Sequence, residues 1–135
     1  MAVLVLDASV VLAVALQETN RHHAASLLGR VAGDGAIVPN IWHVEVGNAL
    51  LTAERRLTIS AEERDEAIQN LSDPPITVDP ETARVWRDAL SLAQRHRLTL
   101  YDATYLELGL RHGLPLATFD SALRRAAEAA NVPLL

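Results

Sequence analysis

Val3-Leu4-Val5-Leu6-Asp7-Ala8-Ser9-Val10-Val11-Leu12-Ala13-Val14-Ala15-Leu16 is an almost unbroken apolar run, interrupted only by Asp7 and Ser9. Its reading decides the fold. A membrane span needs roughly 20 apolar residues, and an export signal needs a basic leader. No Lys or Arg precedes this run, and a carboxylate stands at its centre. It is therefore read as a buried strand, Val3 to Leu6, that turns at Asp7 into a buried helix. The mature protein is expected to begin here, with no membrane segment.

The same rhythm recurs along the chain. Ala36-Ile37-Val38, Ile76-Thr77-Val78, Leu116-Ala117-Thr118 and Val132-Pro133-Leu134-Leu135 are each too short for a helix and lie beside turn signals. Helical patterns fill the gaps, and their ends are marked. Ser60-Ala61-Glu62-Glu63 is a capping box, Asp79-Pro80-Glu81 places an N-cap before an N1 proline, and Gly113 follows a helix running from Tyr101 to His112. Strands apolar on both faces, alternating with helices, specify an α/β domain, a parallel sheet covered on two sides by helices. Ligands of such sheets bind beyond the strands' carboxyl ends.

Composition bounds the function. With 135 residues, half of them hydrophobic, the chain forms one domain, 1–135, whose core needs no disulfide or metal staple. Cysteine is absent, which removes disulfides, thiolate nucleophiles and Cys-held zinc, and makes the cytoplasm the simplest compartment. A net charge of −5 argues against a nucleic-acid partner, because phosphate backbones are held by excess Lys and Arg. That objection weakens if the acids gather around divalent cations, which then supply the local positive charge. All twelve basic residues are Arg.

Position separates the informative acids from the rest. Asp7 follows the first strand, and Asp120 stands two residues after Thr118 at the end of another. Asp102 opens a helix with Tyr105, Leu106 and Gly109 on its own face, and Asp88 reads as solvated. Glu45 lies beside the apolar stripe Trp42, Val46, Ala49 and Ala53, with Asn48 on the same side. Three of the four have an ordinary alternative use. Asp7 or Ser9 can cap a helix, Asp120 can cap the helix from Ser121 to Ala130, and Asp102 suits a helix N-terminus. Glu45 has no such use. Jointly, four acids from four segments at one sheet edge would repel strongly unless something cationic held them. Oxygen donors without His or Cys favour Mg²⁺ or Mn²⁺ over zinc.

Leu6-Asp7-Ala8-Ser9, Trp42-His43-Val44-Glu45-Val46-Gly47-Asn48-Ala49-Leu50, Tyr101-Asp102-Ala103 and Leu116-Ala117-Thr118-Phe119-Asp120 occur in that order. In this set the chain resembles the PIN-domain nucleases, specifically VapC-type toxins, over essentially its whole length. The resemblance implies a five-stranded parallel sheet and a Mg²⁺- or Mn²⁺-dependent endoribonuclease, neutralised by a small VapB-type antitoxin and favouring homodimers. It implies an acidic centre of Asp7, Glu45, Asp102 and Asp120, with Ser9, Asn48 and Thr118 in support. Asp7 and Asp102 would be the main holders of a metal, Glu45 would orient water, and Asp120 would stand near any second ion.

Rival chemistries fit less well. Receiver domains and haloacid-dehalogenase-type phosphatases resemble this layout but ordinarily use a lysine, and the chain has none. No Gly-Lys-Ser/Thr loop and no G-x-G-x-x-G loop is present. His22, His23 and His43 lack zinc-site spacing and read as ordinary surface or half-buried histidines, while Trp42 and Trp86 read as core or interface residues. Arg55-Arg56, Arg95-Arg97 and, best placed, Arg124-Arg125 are candidate phosphate contacts. Two alternatives remain open at this point: a catalytically silent PIN-like protein-binding module, and a DNA-directed nuclease on the same fold.

Overall fold

The structure, a computed structural model, describes residues 2–135. Strand β1 (Val5–Leu6) leads into α1 (Ala8–Ala15) and α2 (Arg21–Asp34). Then come β2 (Ala36–Val38), α3 (Trp42–Arg55), α4 (Ala61–Ser72) and β3 (Ile76–Val78). A π-helical turn (Val85–Ala89) continues into α5 (Leu90–His96), followed by α6 (Leu100–His112), β4 (Leu116–Ala117) and α7 (Ser121–Ala129). The sheet has the order β3-β2-β1-β4, and all its pairings are parallel. Val5 stands opposite Ile37 on one side and Leu116 on the other.

The sheet therefore has four strands where five are expected. The fifth segment reaches the sheet as a single parallel bridge between Leu116 and Leu134. Leu116 N–H donates to the Pro133 carbonyl at 2.8 Å and the Leu116 carbonyl accepts from Leu135 N–H at 3.2 Å, but Pro133 has no N–H with which to carry the ladder toward the preceding residues. A second difference concerns β3, which is an edge strand. Thr77 and Val78 are exposed, so this strand is not apolar and buried on both faces.

Leu4, Leu6, Val10, Leu50, Leu106 and Leu123 are fully buried between the sheet and its helices. Each such side chain contributes roughly 1.5–3 kcal/mol on leaving water, which is what holds strands this short in place. Local chemistry sets the helix ends. Ser60 Oγ accepts from the Glu63 N–H while the Glu63 carboxylate accepts from the Ser60 N–H, both at 3.0 Å. Ser60→Ala is expected to cost about 1 kcal/mol, read as a lower denaturant midpoint with an unchanged slope. Gly113 ends α6 at φ 63, a left-handed cap that suits glycine.

The helix expected to start at Pro80 starts later, at the π-helical turn, because Asp79 is not available to cap it. Asp79 is buried and takes the Arg111 guanidinium at 2.7 and 3.2 Å. Arg111 also reaches the buried Glu107 carboxylate at 2.7 and 3.1 Å. This clamp ties the end of β3 to α6. The π-turn also shifts the helical register, so Ala89 and Ala93 face inward while Trp86 is 85% exposed. Of the two tryptophans read as core or interface residues, Trp42 is buried in the core and Trp86 is exposed. Asp88, read as solvated, is partly exposed and pairs with Arg84 at 3.3 Å. No helix among the described residues is long and apolar enough to cross a membrane.

Candidate active site

Each acid is delivered by its own element. Asp7 is the first residue after β1 and the N-cap of α1, and Asp120 follows β4 and caps α7, accepting from Leu123 N–H at 2.8 Å. Glu45 lies in the first turn of α3, and Asp102 in the first turn of α6, where its N–H donates to Thr99 Oγ1 at 3.1 Å. The capping uses foreseen for Asp7 and Asp120 are therefore real. They are also compatible with a shared site, because a cap needs only one carboxylate oxygen.

Asp7 shows this most clearly. It is 5% exposed, and every hydrogen bond to its carboxylate falls on Oδ2. Ser9 Oγ donates at 2.6 Å, Thr118 Oγ1 at 2.7 Å, and Ser9 N–H at 3.4 Å. Oδ1 stands outside this network. Ser9 Oγ in turn accepts from Phe119 N–H at 2.9 Å, and Thr118 Oγ1 accepts from Asp120 N–H at 3.1 Å. Two hydroxyls thus lock the end of β1 to the loop after β4. Arg124 is partly committed to the same loop, donating to the Thr118 carbonyl at 2.8 Å, while Arg125 is exposed. Asn48 is exposed and takes no part in this network.

The four carboxylates lie in one electrostatic field. Burial pushes the Asp7 carboxyl up; the Ser9 and Thr118 hydrogen bonds oppose this, and the Asp120 charge adds to it. Burial also pushes Glu45 up, against the hydrogen bond from Tyr105, with further upward pressure from the charges of Asp7 and Asp102. Asp102 is raised to about 6, first by burial, then by the charges of Asp120 and Asp7. Groups that disfavour one another's charge in this way persist because the fold holds them there.

Tyr105 was legible in the sequence only as an inward-facing residue. It is fully buried on α6, and its hydroxyl donates to Glu45 Oε1, joining α6 to α3. Burial and the nearby Asp7 charge push the phenol up, so it stays a proton donor to Glu45. The signal available from sequence was its place three residues after Asp102, on the same helical face.

The donor set fits a hard divalent cation: carboxylate oxygens from four elements, with no soft ligand among them. Among the described residues, no group of three or more His, Asp or Glu side chains is arranged to hold a metal ion. The fit therefore rests on donor chemistry, on the shared field and on the uncommitted Oδ1 of Asp7.

The PIN domain family matches residues 4–129 of the chain. The chain belongs to the PIN domain family. Over 120 residues it is 32% identical to Ribonuclease VapC1 of Mycobacterium tuberculosis, covering 76% of this chain and 86% of that relative. The PIN fold itself is shared with PAE2754 from Pyrobaculum aerophilum, at TM-score 0.72 and 24% identity, over 98% of this chain and 83% of that one. It is shared also with FitAcB from Neisseria gonorrhoeae, at TM-score 0.63 and 17% identity, over 98% of this chain and 96% of that one. In this PIN domain Asp7 and Asp120 follow the carboxyl ends of β1 and β4, where open α/β sheets bind ligands, and Glu45 and Asp102 lie in the first turns of α3 and α6.

Proposed function

We propose that this protein is a Mg²⁺- or Mn²⁺-dependent endoribonuclease of the VapC kind, acting in the cytoplasm as the toxin of a type II toxin–antitoxin pair. The observation that carries the reading is the shared field of Asp7, Glu45, Asp102 and Asp120 in a PIN domain with a ribonuclease relative. Asp7 and Asp102 would be the main holders of the cation, with Asp120 beside them. When bound, the cation polarises the scissile phosphodiester and lowers the pKa of a water molecule.

The chain's own residues do the rest. Ser9 and Thr118 fix Asp7 through Oδ2 and so present Oδ1. Tyr105 holds Glu45 by one oxygen, leaving the other to orient the attacking water and take its proton. The upward shift of Glu45 makes it a better base at neutral pH. Arg124 and Arg125 are the basic side chains assigned to the RNA phosphates. Cleavage leaves a 5′-phosphate and a 3′-hydroxyl.

Two predictions follow from this division of labour. Tyr105→Phe is expected to lower kcat about tenfold, and to add little when Glu45 is already Gln. A double-mutant cycle in single-turnover cleavage checks it, since a purely structural role would give additive losses. The second concerns pH. Asp102 binds its proton more tightly folded, near pH 6, than its ordinary 3.8. Its neutral form therefore stabilises the metal-free fold at and below about pH 4, and that contribution is lost as pH rises through about 6. Metal-free Asp102→Asn is expected to melt higher than the parent at pH 7.5 and equally at pH 4, in paired thermal scans. Cleavage by the parent is expected to rise with pH through the same interval.

A VapB-type antitoxin and a second copy of the chain are the proposed protein partners. Helix α4 buries none of its residues, and an apolar cleft of about 440 Å³, walled by Val11, Leu28, Val31 and Leu71, runs beside it. Val44, Leu57 and Trp86 are further large apolar side chains left exposed. Surfaces of this sort favour association.

Matched RNA and DNA oligonucleotides, incubated with purified antitoxin-free protein and Mn²⁺, test the substrate class. Cutting of RNA alone is the expected result. Cutting of DNA as well would make it a general nuclease, and cutting of neither by folded protein would leave a silent binding module.

A further inference from the structure

A cavity open to solvent adjoins the acid centre and shares Ser9 and Asp120 with it as walls. The opposite wall is the turn between α1 and α2. Its backbone is closed by Glu18 N–H to the Ala13 carbonyl at 2.9 Å and by Arg21 N–H to the Glu18 carbonyl at 3.1 Å. Glu18 and Asn20, both of this turn, line the cavity.

Asn20 is the more telling of the two. It stands at the N-cap position of α2, where an asparagine ordinarily bonds the helix's free N–H groups, yet its side chain makes no cap bond. Phe119, the chain's one phenylalanine, forms a further wall. Its N–H is fixed on Ser9 Oγ at 2.9 Å, and its ring is braced edge-on by His23, with centroids 5.5 Å apart. A part-exposed aromatic ring and an idle amide therefore meet in one space beside the acids. The cleavage chemistry uses neither.

The chemistry of the walls selects the occupant. Beside the Arg21 guanidinium, which donates to the Glu18 carbonyl at 3.2 Å, the Glu18 carboxylate can accept from an exocyclic amine, while an amide pairs with a base edge and an aromatic ring stacks on a base. We infer that this cavity seats an unstacked nucleobase next to the scissile bond, stacked on Phe119 and read by Asn20 and Glu18. Bases carrying an exocyclic amino group are preferred there over uracil. The inference rests on the ribonuclease reading above.

The test uses single-stranded RNA oligonucleotides that differ only in one base flanking the mapped cut, with full-length protein and Mn²⁺. At one flanking position the parent should cut amino-bearing bases at least fivefold faster than uracil. Asn20→Ala and Glu18→Ala should bring that ratio toward one, and Phe119→Leu should raise KM for every base. The ratio is taken within each protein sample, so any loss of folded enzyme cancels. A parent ratio of one at every flanking position, or a ratio unchanged in both polar variants, overturns the subsite while leaving the ribonuclease intact. Failure of the parent to cut any RNA overturns both.

Discussion

Asp7→Asn is expected to leave a folded protein whose RNA cleavage has fallen at least ~100-fold, the scale on which losing one well-placed electrostatic group acts. The amide oxygen of asparagine can still accept from Ser9 and Thr118, so the lock between β1 and the loop after β4 survives. What disappears is the charge on Oδ1, the oxygen outside that lock. The metal-free variant should also melt higher than the parent, because a buried carboxylate already disfavoured by its surroundings has become neutral. Loss of activity together with a gain in melting temperature separates a functional acid from a structural one, and paired single-turnover cleavage and thermal scans read both.

Arg111 carries the second large effect, on stability. It is the counter-charge of two acids, Asp79 and Glu107, whose side chains are each 8% exposed. Arg111→Met strands both in a low-dielectric site, and breaking a buried pair in this way costs about 3–5 kcal/mol. For a domain of this size that is a fall of roughly 10 °C or more in Tm. Adding Asp79→Asn and Glu107→Gln to Arg111→Met should recover most of the loss, since it removes the stranded charges. A triple variant as unstable as the single one would show instead that Arg111 matters through packing alone.

Much of this architecture was legible in the sequence because the signals were local. The run around Asp7 is apolar on both sides of one acid, and only a buried strand feeding a buried helix satisfies it. Ser60 and Glu63 carry both halves of their capping box within one turn, and Gly113 marks the end of α6 by its own backbone freedom. Other features were set by what periodicity and turn signals do not carry. Asp79 looks like a cap until Arg111, from another helix, claims it. Val132 to Leu135 looks like a strand, but Pro133 withholds the donor that a ladder needs. Trp86 fits an apolar stripe at ordinary helical spacing, and the π-turn moves it outward.

The proposed acid centre rests on a different kind of signal. Single acids beside strands are explained well enough by capping, and Asp7 and Asp120 do cap. Only their joint placement, with Glu45 and Asp102, required another account. Tyr105 could not be distinguished in sequence from a core residue, because its bond to Glu45 spans two helices. Asn20 was invisible as well, since an asparagine before a helix is ordinary until its side chain is seen not to cap.

The most direct test of the central claim is add-back of metal. Protein stripped with EDTA is assayed on single-stranded RNA before and after excess Mn²⁺ is restored, beside Asp7→Asn treated identically. The account predicts no cutting in EDTA, full recovery with Mn²⁺ in the parent, and no recovery in the variant. Cutting that persists in EDTA, or that returns equally in Asp7→Asn, would contradict it.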